Sequence, residues 1–195
     1  MRKKILVSIL CLVVVYPMFS QLKVVSKSIS TIDKNALTVD GKFSSGINGR
    51  TFQKDALITH NGYQYVVHYN SERRVCISRR KLPNGKWNTL QFLDYYFKSN
   101  DSHNCISMGI CPNDGTIHLA FDHHVDSLNY RVSKKGLATY PKLMKWDVSS
   151  FEPITSELEK DKPIIITYLN FGKPQMVIFN LTIVFAVRVM AIACW

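Results

Sequence analysis

The stretch DSHNCISMGICPNDGTIHLAFDHHVDSLNYR, residues 101–131, predicts the local fold more directly than any other part of this chain. Residues 104–111 are rich in apolar side chains, and residues 116–122 alternate in the manner of a half-buried strand. The CPNDG segment at 111–115 between them is typical of a tight turn. We therefore expect an antiparallel hairpin here.

Histidines lie just before the first strand and just after the second strand of this predicted hairpin. If residues 104–108 pair with residues 117–121, His103 emerges at the same open end as His123 and His124. Imidazole gains and loses protons near neutral pH, so converging histidines are suited to proton transfer. We predict a site at this end. The alternative is that each histidine is an ordinary solvated or hydrogen-bonded loop residue.

The hairpin belongs to a repeat. Residues 61–69 align with residues 114–122 at an offset of 53, and the runs at 75–79 and 128–132 share that offset. Four short strands separated by turns, repeating at about 50 residues, are typical of a β-propeller blade. We predict an all-β chain with two to three four-stranded antiparallel blades. A further run at 163–168 is expected to open the next blade.

Composition and charge limit the possible functions. The 195 residues are 46% hydrophobic and 20% charged, which indicates a globular protein rather than a disordered one. The formal net charge is +11, and it stays at +8 without Arg2, Lys3 and Lys4. Such a charge favours an anionic partner: nucleic acid, acidic lipid or acidic polysaccharide.

The first 20 residues decide among these partners. Residues 2–4 are basic, residues 5–15 are apolar, and Pro17 and Ser20 follow them, which is the pattern of a cleaved signal peptide at 1–20. A membrane anchor is the alternative, although the apolar run is shorter than the roughly 20 residues of a membrane span. We therefore expect a secreted or periplasmic protein that binds an anionic polysaccharide and not nucleic acid.

The last 24 residues break the blade pattern. We predict that residues 21–171 form a partial propeller and that residues 172–195 are a hydrophobic tail read out of frame. Shifting the frame, with permitted codons, yields turn motifs like those of the preceding blades. The alternative is a C-terminal membrane helix over 176–195. We expect no stable membrane association unless this tail is genuine.

Several motifs together resemble one protein family. They are Ser102-His103-Asn104, the segment 109–118 (GICPNDGTIH), Phe121-Asp122-His123-His124 and Leu128-Asn129-Tyr130-Arg131. In this order and spacing they look like the BNR-repeat proteins that include ulvan-lyase-type polysaccharide lyases. The resemblance covers roughly residues 49–168 and implies a β-propeller, usually of about seven blades. The chain would hold fewer than half of them.

The resemblance also implies site residues. His103 matches the histidine of the family's SHN motif, and His123 matches that of its DHH motif, with His124 as the competitor one residue on. Tyr168 resembles the tyrosine of an ITYP motif, although Leu169 replaces the proline. The family's arginine would follow where the tail has lost the pattern. We therefore expect the chain as written to be truncated and inactive, whereas the intact parent protein would be a lyase.

Elimination across a uronate explains why such residues are needed. The proton at C5 must leave, the oxygen at C4 must depart, and the carboxylate must be neutralised so that an enolate can develop. The resemblance assigns carboxylate binding to His103, with Asn104 and His124 as substrate-binding residues. It assigns proton transfer to His123 and Tyr168.

Two other functions stay open. One is a sialidase-like glycoside hydrolase, and the other is a propeller that binds glycans without cleaving them. The sequence names no metal ligand and no cofactor, while Ca²⁺ or Zn²⁺ remains open for a longer parent protein. Neither the polysaccharide nor the choice between His123 and His124 follows from the sequence.

Overall fold

The structure, a computed structural model, describes residues 28–39, 46–49, 53, 55–167, 169 and 171. The chain divides into two compact units, 1–30 and 31–195, and every helix and strand described below lies in the second. The predicted signal peptide at 1–20, the tail at 172–195 and the site residue Tyr168 lie outside the described residues and stay predictions. Within the described part, no helix is long and apolar enough to cross a membrane.

The first sheet has four antiparallel strands in the order β1-β2-β3-β4. They span Leu57–His60 (β1), Tyr63–Tyr69 (β2), Val75–Lys81 (β3) and Asn88–Phe92 (β4). The turn between β1 and β2 consists of Asn61 and Gly62, with φ of 46° and 75°. Two consecutive left-handed residues make the hairpin turn whose twist matches the flanking strands. The predicted four-stranded blade is confirmed.

The second sheet contains the predicted hairpin. It has three strands in the order β5-β6-β8, where β5 is Ile106–Ile110, β6 is Ile117–Phe121 and β8 is Tyr130–Val132. Ile106 pairs with Phe121 and Ile110 with Ile117, so the predicted hairpin is confirmed.

Gly115 ends the turn of this hairpin with a φ of 68°. A Cβ at this position would lie 2.2 Å from Thr139 Oγ1, so both the backbone angle and the available space require glycine. The loop closes through two backbone hydrogen bonds, from Gly115 N to Cys111 O at 2.9 Å and from Cys111 N to Thr116 O at 3.0 Å.

One pairing was not predicted from the sequence. Ile165–Thr167 (β9) pairs with His124–Ser127 (β7) in a separate two-stranded sheet. The expectation that residues 163–168 open the next blade stays a prediction, because most residues after 167 lie outside the described part. The repeat alignment has no strand directly after the second hairpin strand and does not predict β7. Val125 N donates a hydrogen bond to Thr167 Oγ1 at 2.7 Å, which reinforces this contact between distant segments.

A shared hydrophobic core joins the first two sheets. Among its fully buried side chains are several from β2, β3, β5 and β6, namely Tyr65, Tyr69, Ile77, Ile106, Met108, Leu119 and Phe121. Tyr65 and Tyr69, which lie on the same face of β2, therefore serve core packing. A short 3₁₀ helix at Val148–Ser150 adds Phe151, which packs edge-on against Phe92. The described fold is all-β and consists of propeller-type antiparallel sheets.

His118 on β6 makes stability depend on pH. Its Nδ1 is 2.6 Å from the Tyr130 hydroxyl and its Nε2 is 2.8 Å from Thr116 Oγ1. Burial lowers the pKa of His118 below its ordinary value of 6.5, and the charge of Asp114 offsets this only in part. The unfolded chain therefore binds a proton at this residue more readily than the folded chain does.

We expect stability to be fully retained above about pH 6.5 and to fall as the pH decreases towards the folded pKa of His118. Urea unfolding between pH 8 and pH 5 measures this. His118→Gln should show a shallower loss than the unmodified chain, although not a flat one, because burial also lowers the pKa of His68. Equal pH slopes for the two chains would contradict the assignment.

Candidate active site

A pocket of about 510 Å³ opens beside the start of β5 and the end of β6. Its lining comes from the loop before β5 and from β7 with its flanking residues, and it includes Tyr95, Lys98, Asp101, Asn104, Asp122, His124 and Asp126. The hairpin turn at 111–115 lies at the opposite end of the β5–β6 pair. The pocket is therefore at the open end of the hairpin, where the sequence predicts a site.

Two imidazoles share the carboxylate of Asp101, which lines this pocket together with His124. His103 Nδ1 lies 2.5 Å from Asp101 Oδ1, and His124 Nδ1 lies 3.0 Å from Asp101 Oδ2. The two imidazole rings are tilted by 35° with their centroids 4.7 Å apart. If each Nδ1–H donates to Asp101, each Nε2 carries the lone pair and is oriented by the same anchor.

Local turn geometry holds Asp101 in place. The backbone N–H of His103 donates to Asp101 Oδ1 at 2.9 Å, which is an Asx-turn, and the Asp101 N–H donates to Ser99 Oγ at 2.9 Å. Burial acts to raise the pKa of Asp101, but hydrogen bonds from the His103 backbone and from both imidazoles lower it on balance. Asp101 therefore stays ionised, as a carboxylate that orients two histidines must.

A second buried network positions Asn104. Asn104 Nδ2 donates to Asp122 Oδ1 at 2.6 Å, and the Tyr95 hydroxyl donates to Asp122 Oδ2 at 2.5 Å. Burial raises the pKa of Asp122, although the hydrogen bonds from Tyr95 and Asn104 act in the opposite direction. Asn104 is 3% exposed, and its Oδ1 has no hydrogen-bond partner within the described residues. The amide of Asn104 is therefore held in one orientation, and its Oδ1 can accept a further hydrogen bond.

The structure separates His123 from His124. His123 is 4% exposed, does not line the pocket, and its Nε2 accepts a hydrogen bond from Asn129 N at 2.7 Å. Burial lowers the pKa of His123 to about 4, which keeps the imidazole neutral. All three histidines lie at the open end of the hairpin, as the sequence predicts, but they do not face one common cleft. His103 and His124 come together, and His123 faces the interior.

The backbone explains which histidine reaches the pocket. The β7–β9 register shifts between His124 and Asp126, which is a bulge, and Val125 there has a φ of 64°. A left-handed conformation is costly for a β-branched residue, and such strain concentrates at functional sites. Bulges also re-aim neighbouring side chains. Of the adjacent histidines, His124 therefore lines the pocket while His123 packs inward.

The other predicted residues have different outcomes. Asn104 lines the pocket as expected, whereas Tyr168 cannot be placed, although Thr167 directly before it pairs with His124. Three of the lining residues were not predicted from the sequence: Asp101, Tyr95 and Lys98. For Asp101 a local signal exists, since aspartate two residues before His103 is an Asx-turn pattern. Tyr95 and Lys98 belong to a loop without any such pattern.

Comparisons with known proteins agree with this architecture. Residues 63–188 match the model of a family described as BNR repeat-containing. An ulvan lyase, long isoform, of Alteromonas sp. (strain LOR) is 29% identical over 127 residues, which cover 54% of this chain and 13% of that protein. An ulvan lyase, long isoform, of Glaciecola sp. (strain KUL10) is 34% identical over 79 residues, which cover 36% of this chain and 8% of that protein.

A solved structure supports the fold. The crystal structure of polysaccharide lyase Uly1 matches with a TM-score of 0.50 and 20% identity, over 69% of this chain and 36% of that one. The chain thus spans only a small part of the length of the curated relatives it matches. Because the family model covers more than half of the residues, this chain belongs to the BNR repeat-containing family.

Proposed function

We propose that this chain carries part of a polysaccharide lyase site, which cleaves a uronate-containing anionic polysaccharide such as ulvan by β-elimination. The observation that carries the proposal is the pair of imidazoles on Asp101. Asp101, His124 and Asn104 line one pocket, and His103 contacts Asp101 from beside it. The similarity to proteins named ulvan lyases supports it, as does the net charge of +11, which favours a polyanion.

The proposed mechanism divides the chemistry among these side chains. His103 and Asn104 take the carboxylate-binding role that the family resemblance assigns to them, which stabilises the charge of the developing enolate. His124 takes the proton-transfer role that the family resemblance assigns to His123, because its Nε2 is oriented by Asp101 at the pocket. Tyr168 is the proposed partner in the second proton transfer. Lys98 adds a positive charge to the lining.

The proposed location follows from the substrate. A polymeric anion is met outside the cell, so we propose that the protein is secreted or periplasmic, with residues 1–20 as its cleaved signal peptide. Detection of mature protein starting near Gln21 in the medium or the periplasm tests this. Retention of residues 1–20 in the exported protein would contradict it.

Because residues 172–195 are expected to be read out of frame, the activity is tested in the protein with that frame restored, on a glucuronate-containing polysaccharide of the ulvan type. Elimination creates a double bond conjugated to the carboxylate, so the expected result is rising ultraviolet absorbance together with new reducing ends. We expect His103→Ala to lower this rate by about 10²-fold or more. His60→Gln, on β1 outside the pocket lining, is the matched control and should retain it.

Two outcomes would overturn the proposal. New reducing ends without the unsaturated product would indicate a sialidase-like hydrolase. Binding of the polysaccharide without any turnover would indicate a glycan-binding propeller.

A further inference from the structure

Asp101, His103 and His124 form a compact set of metal-ligating side chains. Each offers one ligand atom, and these atoms all lie within 4.8 Å of one another. Two ligands at about 2.0 to 2.1 Å from a tetrahedral ion are separated by about 3.3 Å, so small side-chain rotations would complete the geometry. These ligands were not predicted from the sequence, because they lie on two segments that meet only in the fold.

The surroundings of this set favour a cation. Asp122 and Asp126 also line the pocket, and Lys98 is the one lysine or arginine among the described lining residues. Asn104 lines the same pocket, is 3% exposed, and has an Oδ1 without a hydrogen-bond partner among the residues described. A buried carbonyl oxygen left unpaired is costly unless a ligand or water completes its bonding.

We propose that Asp101, His103 and His124 bind a divalent first-row transition ion of the Zn²⁺ class, with the remaining coordination positions open to the pocket. Two imidazole nitrogens and one carboxylate oxygen suit Zn²⁺, Ni²⁺ or Cu²⁺. Ca²⁺ instead takes six to eight oxygen ligands, which this set does not supply. The metal site depends on these three side chains and not on the proposed lyase activity.

Metal binding and the proposed proton transfer exclude each other. A metal on His103 and His124 occupies the groups that would bind the carboxylate and move the proton. Bound Zn²⁺ therefore inhibits the proposed elimination, and chelation restores it.

Titration of the purified chain with Co²⁺ tests the site, because Co²⁺ held by imidazole and carboxylate ligands absorbs visible light. We expect one ion per chain, displaced by Zn²⁺ and not by Ca²⁺. His124→Ala and Asp101→Asn should each weaken binding by about tenfold or more, while His60→Gln should leave it unchanged. No Co²⁺ absorbance, or equal affinity in His124→Ala, would overturn the proposal.

A second measurement needs no variant. Diethyl pyrocarbonate modifies accessible imidazoles, and mass spectrometry locates the modified residues. Zn²⁺ should protect His124, whose side chain is 37% exposed, and leave the modification of His60 unaffected. Equal modification of His124 with and without Zn²⁺ would overturn the site. If the chain binds metal but no unsaturated product forms, the metal site stands and the lyase proposal falls. If unsaturated product forms but no metal binds, the lyase proposal stands and the metal site falls.

Discussion

His124→Ala is expected to lower the rate of unsaturated-uronate formation by about 10²- to 10⁴-fold, the usual range for a positioned proton-transfer group. His124 lines the pocket and its Nδ1 lies 3.0 Å from Asp101 Oδ2. Its loss removes the group that we propose exchanges a proton with the sugar. The measurement is the initial rate of ultraviolet absorbance increase, with the concentration of folded protein matched by circular dichroism.

The comparison with the neighbouring histidine makes this result decisive. His123→Gln removes the ring nitrogen that accepts from Asn129 N, so we expect an effect on stability, at about 1 to 3 kcal/mol for a buried group left unpaired. Its effect on the rate of the folded protein should be much smaller than that of His124→Ala. If His123→Gln lowered the rate more than His124→Ala does, the proton-transfer role would belong to His123, as the family resemblance implies.

Tyr69→Ala should lower the free energy of unfolding by about 3 to 5 kcal/mol, the cost of removing a large aromatic side chain from a packed core. Tyr69 is fully buried, and its ring stacks on Phe97 with centroids 4.4 Å apart. Its hydroxyl donates to Asn104 O at 2.9 Å. The residue therefore links the first sheet to the loop that carries the site. Urea unfolding at neutral pH measures the loss.

Tyr69→Phe is the matched control, since it retains the ring and removes only the hydroxyl. We expect it to cost about 1 to 3 kcal/mol, because the Asn104 carbonyl loses its buried donor. Because that carbonyl belongs to a pocket residue, Tyr69→Phe should also weaken substrate binding more than His60→Gln does. Equal stability of Tyr69→Ala and Tyr69→Phe would contradict the packing role of the ring.

Local sequence signals account for the hairpins. The hairpin turns contain residues with left-handed backbone, at Asn61, Gly62 and Gly115. The alternating runs beside these turns determine which side chains face the core. Strand β6 therefore falls where the alternation of residues 116–122 predicts it, within one residue at each end. Membership of the BNR repeat-containing family agrees with the same repeat.

The β7–β9 pairing did not follow from the sequence. The partners lie about 40 residues apart, and both are short, so neither has a periodic pattern of its own. Their register depends on which edges the rest of the chain leaves available. The bulge at Val125 arises from that pairing, and it accompanies the outward placement of His124.

The sequence alone thus determined an all-β chain of propeller-type hairpins, and it located a histidine-bearing end at residues 103–124. Tertiary structure decided that His103 and His124, rather than His123, share Asp101 at the pocket. The reason is physical. Turn formation and strand alternation depend on residues that are neighbours in the sequence. The direction of a side chain at a strand end depends instead on a bulge and on a partner strand from a distant part of the chain.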